Sequence, residues 1–284
     1  MHIAIYGSRS QDAYLPQLRK LLRGLAEKYS LTIHPKLGFY LQEHGFQLYK
    51  IAVSDRLEKG TDIVLSIGGD GTFLRAARWV GDRGIPVLGV NTGHLGFLAS
   101  CRLPEAEALI EDFSKGEVVI EQRMLLHVES ASLPADEWPY ALNEVALQKE
   151  DTASMISVTA CINGTPLANY RADGLIVSTP TGSTAYNLAA GGPVVEPTIQ
   201  CMVITPVAPH TLTLRPLVAG AESRLTLRVE GRPREYRLSL DSRSLIIERG
   251  TEVTVTRAGF TLPLVRPKNY PFPTVLSDKL LWGN

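Results

Sequence analysis

The stretch from Asp62 to Val80 constrains the fold more than any other. Asp62-Ile63-Val64-Leu65-Ser66-Ile67 reads as a buried strand and runs straight into Gly68-Gly69-Asp70-Gly71-Thr72, after which Phe73 to Val80 has helical spacing. Ile85 to Val90 then reads as a second buried strand. Strand, glycine turn, helix and strand in succession describe a parallel sheet with helices packed against it. Upstream, His2 to Tyr6 is a short apolar strand ending at Gly7, and Leu15, Leu18, Leu22, Leu25 and Tyr29 recur at the spacing of an amphipathic helix. A further helix, roughly Pro104 to Ser114, has proline in its first turn and stops at Gly116.

Beyond Gly116 the pattern changes to strands. Val118 to Glu129, Asn143 to Gln148 and Met155 to Ile162 are β-like. Asn163-Gly164 predicts a type I′ hairpin turn, because both residues tolerate positive φ. Leu225/Leu227/Val229, Tyr236/Leu238/Leu240 and Val253/Val255 alternate with polar residues, the mark of half-buried antiparallel strands. The expected organisation is α/β plus all-β: an α/β domain over 1–117, a β-rich domain over 118–267, and a tail over 268–284. That tail, with Tyr270, Phe272, Leu276, Leu280 and Trp282, is too apolar for a free end and is expected to pack back on the body.

With 29 basic and 29 acidic residues the formal net charge is zero. The chain therefore lacks the broad positive field of a nucleic-acid binder, while a local basic pocket for phosphates stays open. No apolar run approaches the roughly 18 residues of a membrane span, and the first residues lack a signal peptide's basic and apolar regions. Cys101, Cys161 and Cys201 are odd in number and far apart, as expected of core thiols in a reducing compartment. The expectation is a cytoplasmic protein with neither nucleic acid nor membrane as partner. No His/Cys/Asp group has metal-ligand spacing, so no dedicated protein metal site is expected.

Glycines in the Gly68–Gly71 turn let the backbone approach a polyphosphate, and the following helix N-terminus offers free N–H groups to an anion. The turn is neither a Walker A sequence nor GxGxxG. A carboxylate among phosphates is unwelcome unless it has a task. Asp70 either caps the helix, accepts a proton or holds Mg²⁺. Since Asn also caps well, Asn at position 70 is expected to leave stability nearly unchanged. A second segment, Arg171 to Gly192, brings a strand end into a dense set of hydroxyls and small residues, with Tyr186 offering a ring face for a base. It is either a polar surface loop or a ligand loop. Asn91 to Phe97 follows a strand at the end where such sheets bind ligands, with His94 read as a structural hydrogen-bonding residue. Asn143-Glu144, two polar residues in an apolar stretch, either pair internally or hold ligand hydroxyls.

Together the pieces GGDGTFLRAAR (68–78), NTGHLGFL (91–98), LNEVAL (142–147), RADGLIVSTPTGSTAYNLAAGGP (171–193) and KLLWG (279–283) resemble the NAD kinase family in order and spacing. The resemblance covers about residues 62 to 284. The turn alone is shared with lipid kinases and phosphofructokinases, whereas the segment after Asp173 is specific. A lipid or sphingoid-base kinase and a silent NAD(P)-sensing protein are the competing readings.

The resemblance implies a Rossmann-like N-terminal domain, a β-rich C-terminal domain, and assembly as homodimers or homotetramers. It implies NAD and ATP as substrates, with Mg²⁺ accompanying ATP. It makes Asp70 the general base for the ribose 2′-hydroxyl, with Gly71, Thr72 and Arg75 facing phosphates and Phe97 bordering the adenine. Asn143 and Glu144 would hold the ribose or adenine, and Arg171 and Asp173 would lie near the nicotinamide half. Thr181, Thr184, Ala185, Tyr186, Asn187, Leu188 and Ala189 would line the dinucleotide pocket, and Ala208 would touch the ligand. Relatives usually read Asp-Gly-Gln where this chain has Asp241-Ser242-Arg243, so no Gln contact carries over to Arg243.

Overall fold

A computed structural model describes residues 1–284 except 10, 11, 94, 95, 100, 151–154, 232, 233, 269, 283 and 284. In chain order the first elements are β1 (His2–Gly7), α1 (Leu15–Lys28), β2 (Ser30–Ile33), α2 (Pro35–Glu43), β3 (Ile51–Val53), β4 (Ile63–Ile67), α3 (Asp70–Val80), β5 (Val87–Asn91), β6 (Cys101–Arg102) and α4 (Ala106–Ser114). There follow β7 (Val119–Glu129), β8 (Tyr140–Ala141), β9 (Glu144–Lys149), β10 (Ile156–Ile162), β11 (Thr165–Ala172), β12 (Gly174–Ser178) and the short α5 (Tyr186–Ala189). The chain continues through β13 (Cys201–Val207), β14 (Leu217–Gly220), β15 (Leu225–Glu230), β16 (Glu235–Leu240), β17 (Arg243–Glu248), β18 (Glu252–Arg266) and α6 (Phe272–Leu280).

Two compact units result, one of Met1–Gln122 with Leu262–Asn284 and one of Arg123–Thr261. The division differs from the expected one at residue 118, and residues 262–267 belong to the first unit rather than the second. The reason is pairing: Leu264 and Val265, at the end of β18, lie parallel to Val87 and Leu88 of β5. An edge strand supplied from far along the chain leaves no local composition signal.

The first unit carries the parallel strands β3-β2-β1-β4-β5, with β6 beside the end of β5. Its core gathers Ile3, Ile5, Leu65 and Leu88 from the sheet with Leu18, Leu21, Leu22 and Leu25 from α1. Burying each such side chain is worth about 1.5–3 kcal/mol, so that face decides how α1 sits. The strand order reverses between β1 and β4. Such a switch point opens a crevice at the carboxyl ends of the strands, and the glycine turn follows β4 there. The pattern left β2, α2 and β3 unannounced, because each is short and α2 has only nine residues.

The second unit is antiparallel. One set of strands runs β11-β10-β15-β18 and another β14-β13-β12-β9-β16-β17. Its core is its own, built around Leu147, Leu175, Leu227, Tyr236 and Leu238. The β10–β11 connection is the expected hairpin turn, with Asn163 at φ 50 and Gly164 at φ 79. A Cβ at Gly164 would meet nothing within 4 Å, so Gly164→Ala carries only the left-handed backbone cost. We expect a loss of roughly 1–2 kcal/mol in a urea titration. An unchanged midpoint would mean that the turn relaxes without strain.

Candidate active site

Asp70 is the first helical residue of α3, and the N-cap position is held by Gly69. The capping alternative is thereby removed. Its carboxylate instead accepts three N–H groups from the loop after β5: Phe97 N to Oδ2 at 2.9 Å, Leu98 N to Oδ1 at 3.1 Å and Ala99 N to Oδ1 at 3.0 Å. These amides belong to no sheet ladder and need an acceptor. The approach is close enough that a Cβ at Gly96 would collide with the Asp70 carboxylate, which explains that glycine. A carboxylate offers about four lone-pair positions, so three bonds leave room for one more contact. The expectation that Asn is silent at position 70 fails here. An amide NH₂ would face a backbone donor, and an orphaned N–H costs about 1–3 kcal/mol.

Around this centre, Gly69 and Gly71 are exposed and Thr72 is buried. Arg75 Nη2 donates to Thr72 Oγ1 at 3.1 Å, one helical turn along α3. Gly68, at φ 146, packs against Thr72, and a side chain there would strike the threonine hydroxyl. Phe97 is half-buried, while His94 lies outside the described residues.

The second unit repeats the device. Asp241, in the β16–β17 turn at φ 53, accepts Leu142 N at 2.9 Å on Oδ2, and Asn143 N at 2.7 Å and Glu144 N at 3.2 Å on Oδ1. This aspartate fixes the Asn143-Glu144 pair, a role no local pattern announces. The 3₁₀ turn Thr181–Thr184 closes on the same segment. Thr179 Oγ1 donates to Leu142 O at 2.6 Å and accepts Gly182 N at 3.0 Å, and any side chain at Gly182 would overlap Asn143 O. Buried Arg123 donates through Nη1 to Thr181 Oγ1 at 3.2 Å.

The hydroxyl-rich segment therefore divides in two. Ser183 and Asn187 face inward: Asn187 Nδ2 donates to Ser183 O and Pro193 O, both at 3.0 Å, and its Oδ1 accepts Thr205 Oγ1 at 2.7 Å. A side chain at Gly192 would collide with Asn187, which accounts for the second glycine of Gly191-Gly192. The fully buried Asn187 amide is a structural group, so its place as a pocket-lining side chain is corrected. Thr184, Ala185, Tyr186 and Leu188 are half-buried and Ala189 is exposed, with Tyr186 OH accepting Gln148 Nε2 at 2.9 Å. Asp173 pairs with Lys149 at 2.8 Å, whereas Arg171 is exposed on β11. Ala208 holds φ 45 before Pro209, a left-handed conformation uncommon for a non-glycine residue.

Asn143 Oδ1 and Glu144 Oε2 are buried without a hydrogen-bond donor. Burial, reinforced by the Asp241 charge and opposed by the Tyr186 N–H, pushes the Glu144 carboxyl up to about 8. Burial also raises Asp241, against the three N–H groups and Arg243. Of the two, Glu144 holds the proton at neutral pH, because both Asp241 oxygens already accept donors and Glu144 Oε2 does not.

Arg243 is engaged wholly within the second unit. Its guanidinium pairs with Glu137, donates to Trp138 O at 2.7 Å and Tyr140 O at 2.6 Å, and sits 5.5 Å from the centre of the Trp138 ring.

Two predictions follow from these groups. A carboxyl bound more tightly to its proton in the folded state stabilises the fold below its unfolded pKa of about 4.5. That contribution is lost as pH rises towards 8. Glu144→Gln, always neutral, should melt at a margin above wild type that widens between about pH 5 and pH 9; parallel melting curves would place Glu144 in water. Arg243→Gln restores the residue common among relatives, yet should cost about 1–3 kcal/mol because glutamine cannot reach the same acceptors. Equal denaturation midpoints would show that the guanidinium contacts contribute nothing.

Known proteins resemble this chain along both units. The ATP-NAD kinase N-terminal domain matches residues 27–118 and the ATP-NAD kinase C-terminal domain matches 142–267. An NAD kinase of Porphyromonas gingivalis is 43% identical over 285 residues, covering 99% of this chain and 98% of that protein. Among solved structures, a yeast NADH kinase superposes with a TM-score of 0.89 at 21% identity, covering 100% of this chain and 88% of the other. An NAD kinase from Archaeoglobus fulgidus gives 0.73 at 25% identity, with 98% of each chain covered. Such identity over nearly the whole length exceeds what a shared fold alone requires, and the chain belongs to the ATP-NAD kinase family, phosphotransferases with an alcohol acceptor.

Proposed function

We propose that the protein transfers the γ-phosphate of ATP to the 2′-hydroxyl of the adenosine ribose of NAD, giving NADP, with Asp70 as the general base. The single observation that carries the base assignment is the carboxylate of Asp70, half-buried at the N-terminus of α3 in a turn whose glycines leave the backbone open. Its three N–H bonds fix its direction and leave one lone-pair position for a hydroxyl proton. A ribose hydroxyl is a weak nucleophile and a triphosphate repels it, so positioning, charge neutralisation and a base are what the reaction needs. The α3 N-terminus and Arg75 serve the phosphates, and Asn143 and Glu144, whose buried oxygens lack donors, bind NAD hydroxyls.

The yeast relative's structure holds NADH and the Archaeoglobus relative's holds ATP, which supports both ligand classes for this chain. Mg²⁺ enters on the triphosphate as part of the substrate. Among the described residues no three His, Cys, Asp or Glu side chains gather as a metal site. The exposed Ala189 and Arg171 and the left-handed Ala208 are taken as ligand contacts on this reading. A homodimer or homotetramer in the cytoplasm completes the reading; the three free cysteines support the compartment.

The test combines calorimetry with NAD and an assay of NADP formation from NAD and Mg-ATP. NADP should form, and diacylglycerol should not be phosphorylated; lipid phosphorylation without NADP would reject the assignment. For Asp70→Asn, kcat should fall by about a hundredfold to ten-thousandfold. A deficit cured by excess Mg²⁺ reassigns Asp70 to metal positioning. A kcat within a few-fold of wild type rejects both roles.

A further inference from the structure

Within the second unit, Tyr186 is held from the middle of a sheet. Gln148 lies on β9, which pairs with β12 on one side and β16 on the other. A strand paired along both edges is a rigid base for a side chain. Directly across from Gln148 on β12 stands Gly174, and opposite residues of an antiparallel pair share one face. A Cβ at Gly174 would crowd Leu147 O at 2.8 Å and Gln148 Cγ at 3.3 Å, so the glycine leaves the face clear for the glutamine stem. The amide then reaches Tyr186, donating from Nε2 to the phenol oxygen at 2.9 Å. Both residues are half-buried, and this is the one side-chain bond that either makes among the described residues.

A phenol has one proton to give and lone pairs with which to receive. Because Gln148 supplies an N–H to the oxygen, the Tyr186 proton is not spent on the sheet and stays available to a further acceptor. Receiving a hydrogen bond also strengthens the phenol as a donor, since successive bonds in a chain polarise one another. A glutamate at position 148 would have the same reach and the opposite polarity, because a carboxylate only accepts and would take the phenol proton. We propose that Gln148 is a positioning residue that sets the Tyr186 hydroxyl as a hydrogen-bond donor to an acceptor oxygen of the dinucleotide. The assignment rests on the reading of Tyr186 as a wall of the NAD pocket and adds the residue that fixes its polarity. The same strand holds the other end of the tyrosine. Glu144, four residues before Gln148 and on the same face of β9, receives the Tyr186 backbone N–H at the start of α5.

The test is calorimetry with NAD on the full chain. Gln148→Glu should weaken NAD binding by about tenfold, the loss expected when a hydrogen-bond donor to the ligand is withdrawn. Gln148→Met removes the amide but leaves the phenol proton free, so its loss should be smaller. Melting temperature and Mg-ATP affinity should stay near wild type in both. In a Tyr186→Phe background, Gln148→Glu should change NAD affinity by less than about twofold, because the hydroxyl through which residue 148 acts is gone. NAD affinity of Gln148→Glu within about twofold of wild type overturns the assignment, as does a methionine variant worse than the glutamate. A loss that persists in the Tyr186→Phe background marks the added charge acting directly and overturns it too. So does an equal loss for NAD and Mg-ATP with a lowered melting temperature, which marks a structural glutamine. Failure of the wider reading is distinct: wild type would then bind no NAD at all, and both fall together.

Discussion

An aspartate that gathers three consecutive backbone amides is the interaction on which both units depend. Residues 97–99 lie outside the strand ladders and residues 142–144 lead into β9, and the N–H groups that face away from a partner strand need acceptors. Asp70 supplies them for the first loop and Asp241 for the second. A carboxylate suits this task better than any neutral side chain, since bonds to an ionised acceptor are shorter and stronger. Each loop is thereby held at one point by three bonds, and its flanking side chains inherit a fixed direction without a rigid element of their own. Preorganisation of this kind removes ordering that substrate binding would otherwise have to supply.

The two aspartates differ in what else they do. Asp241 sits in the β16–β17 turn beside Glu144, where burial raises its pKa and its bonds hold the 142–144 amides. Asp70 is half-buried, at the front of a helix, with capacity for one further contact. Glu144 beside Asp241 keeps its proton in the free protein, and its Oε2 is buried without a donor.

Much of this was legible in the sequence, and the rest was not for identifiable reasons. The strand–turn–helix unit at Asp62–Val80, the α1 stripe and the Asn163-Gly164 hairpin are local patterns, and local physics fixes them. Membership of the dinucleotide kinase group followed from the segment after Asp173. What could not be read is tertiary: the bonds of Asp70 reach residues 27 to 29 positions away, and those of Asp241 reach back 97 to 99. Gly96, Gly182 and Gly192 look like loop glycines in sequence, yet each is required by a group that packs where its side chain would be. Asn187 misled because an amide among hydroxyls looks like a ligand contact until its three inward bonds are seen. Arg243 looked like a missing glutamine, and it is instead a clasp on residues 137–140.

The discontinuous first unit has a bearing on how the chain is born. Its β5 edge is completed by Leu264 and Val265, which the ribosome adds only after the whole of Arg123–Thr261. The second unit, contiguous in sequence, can close on itself while its predecessor still lacks a border strand. The usual N-terminal-first order of nascent folding is thus inverted for the final step. Until residues 262–282 emerge, the parallel sheet has an open flank of unpaired amides at β5, the kind of edge that invites wrong partners and that chaperones shield.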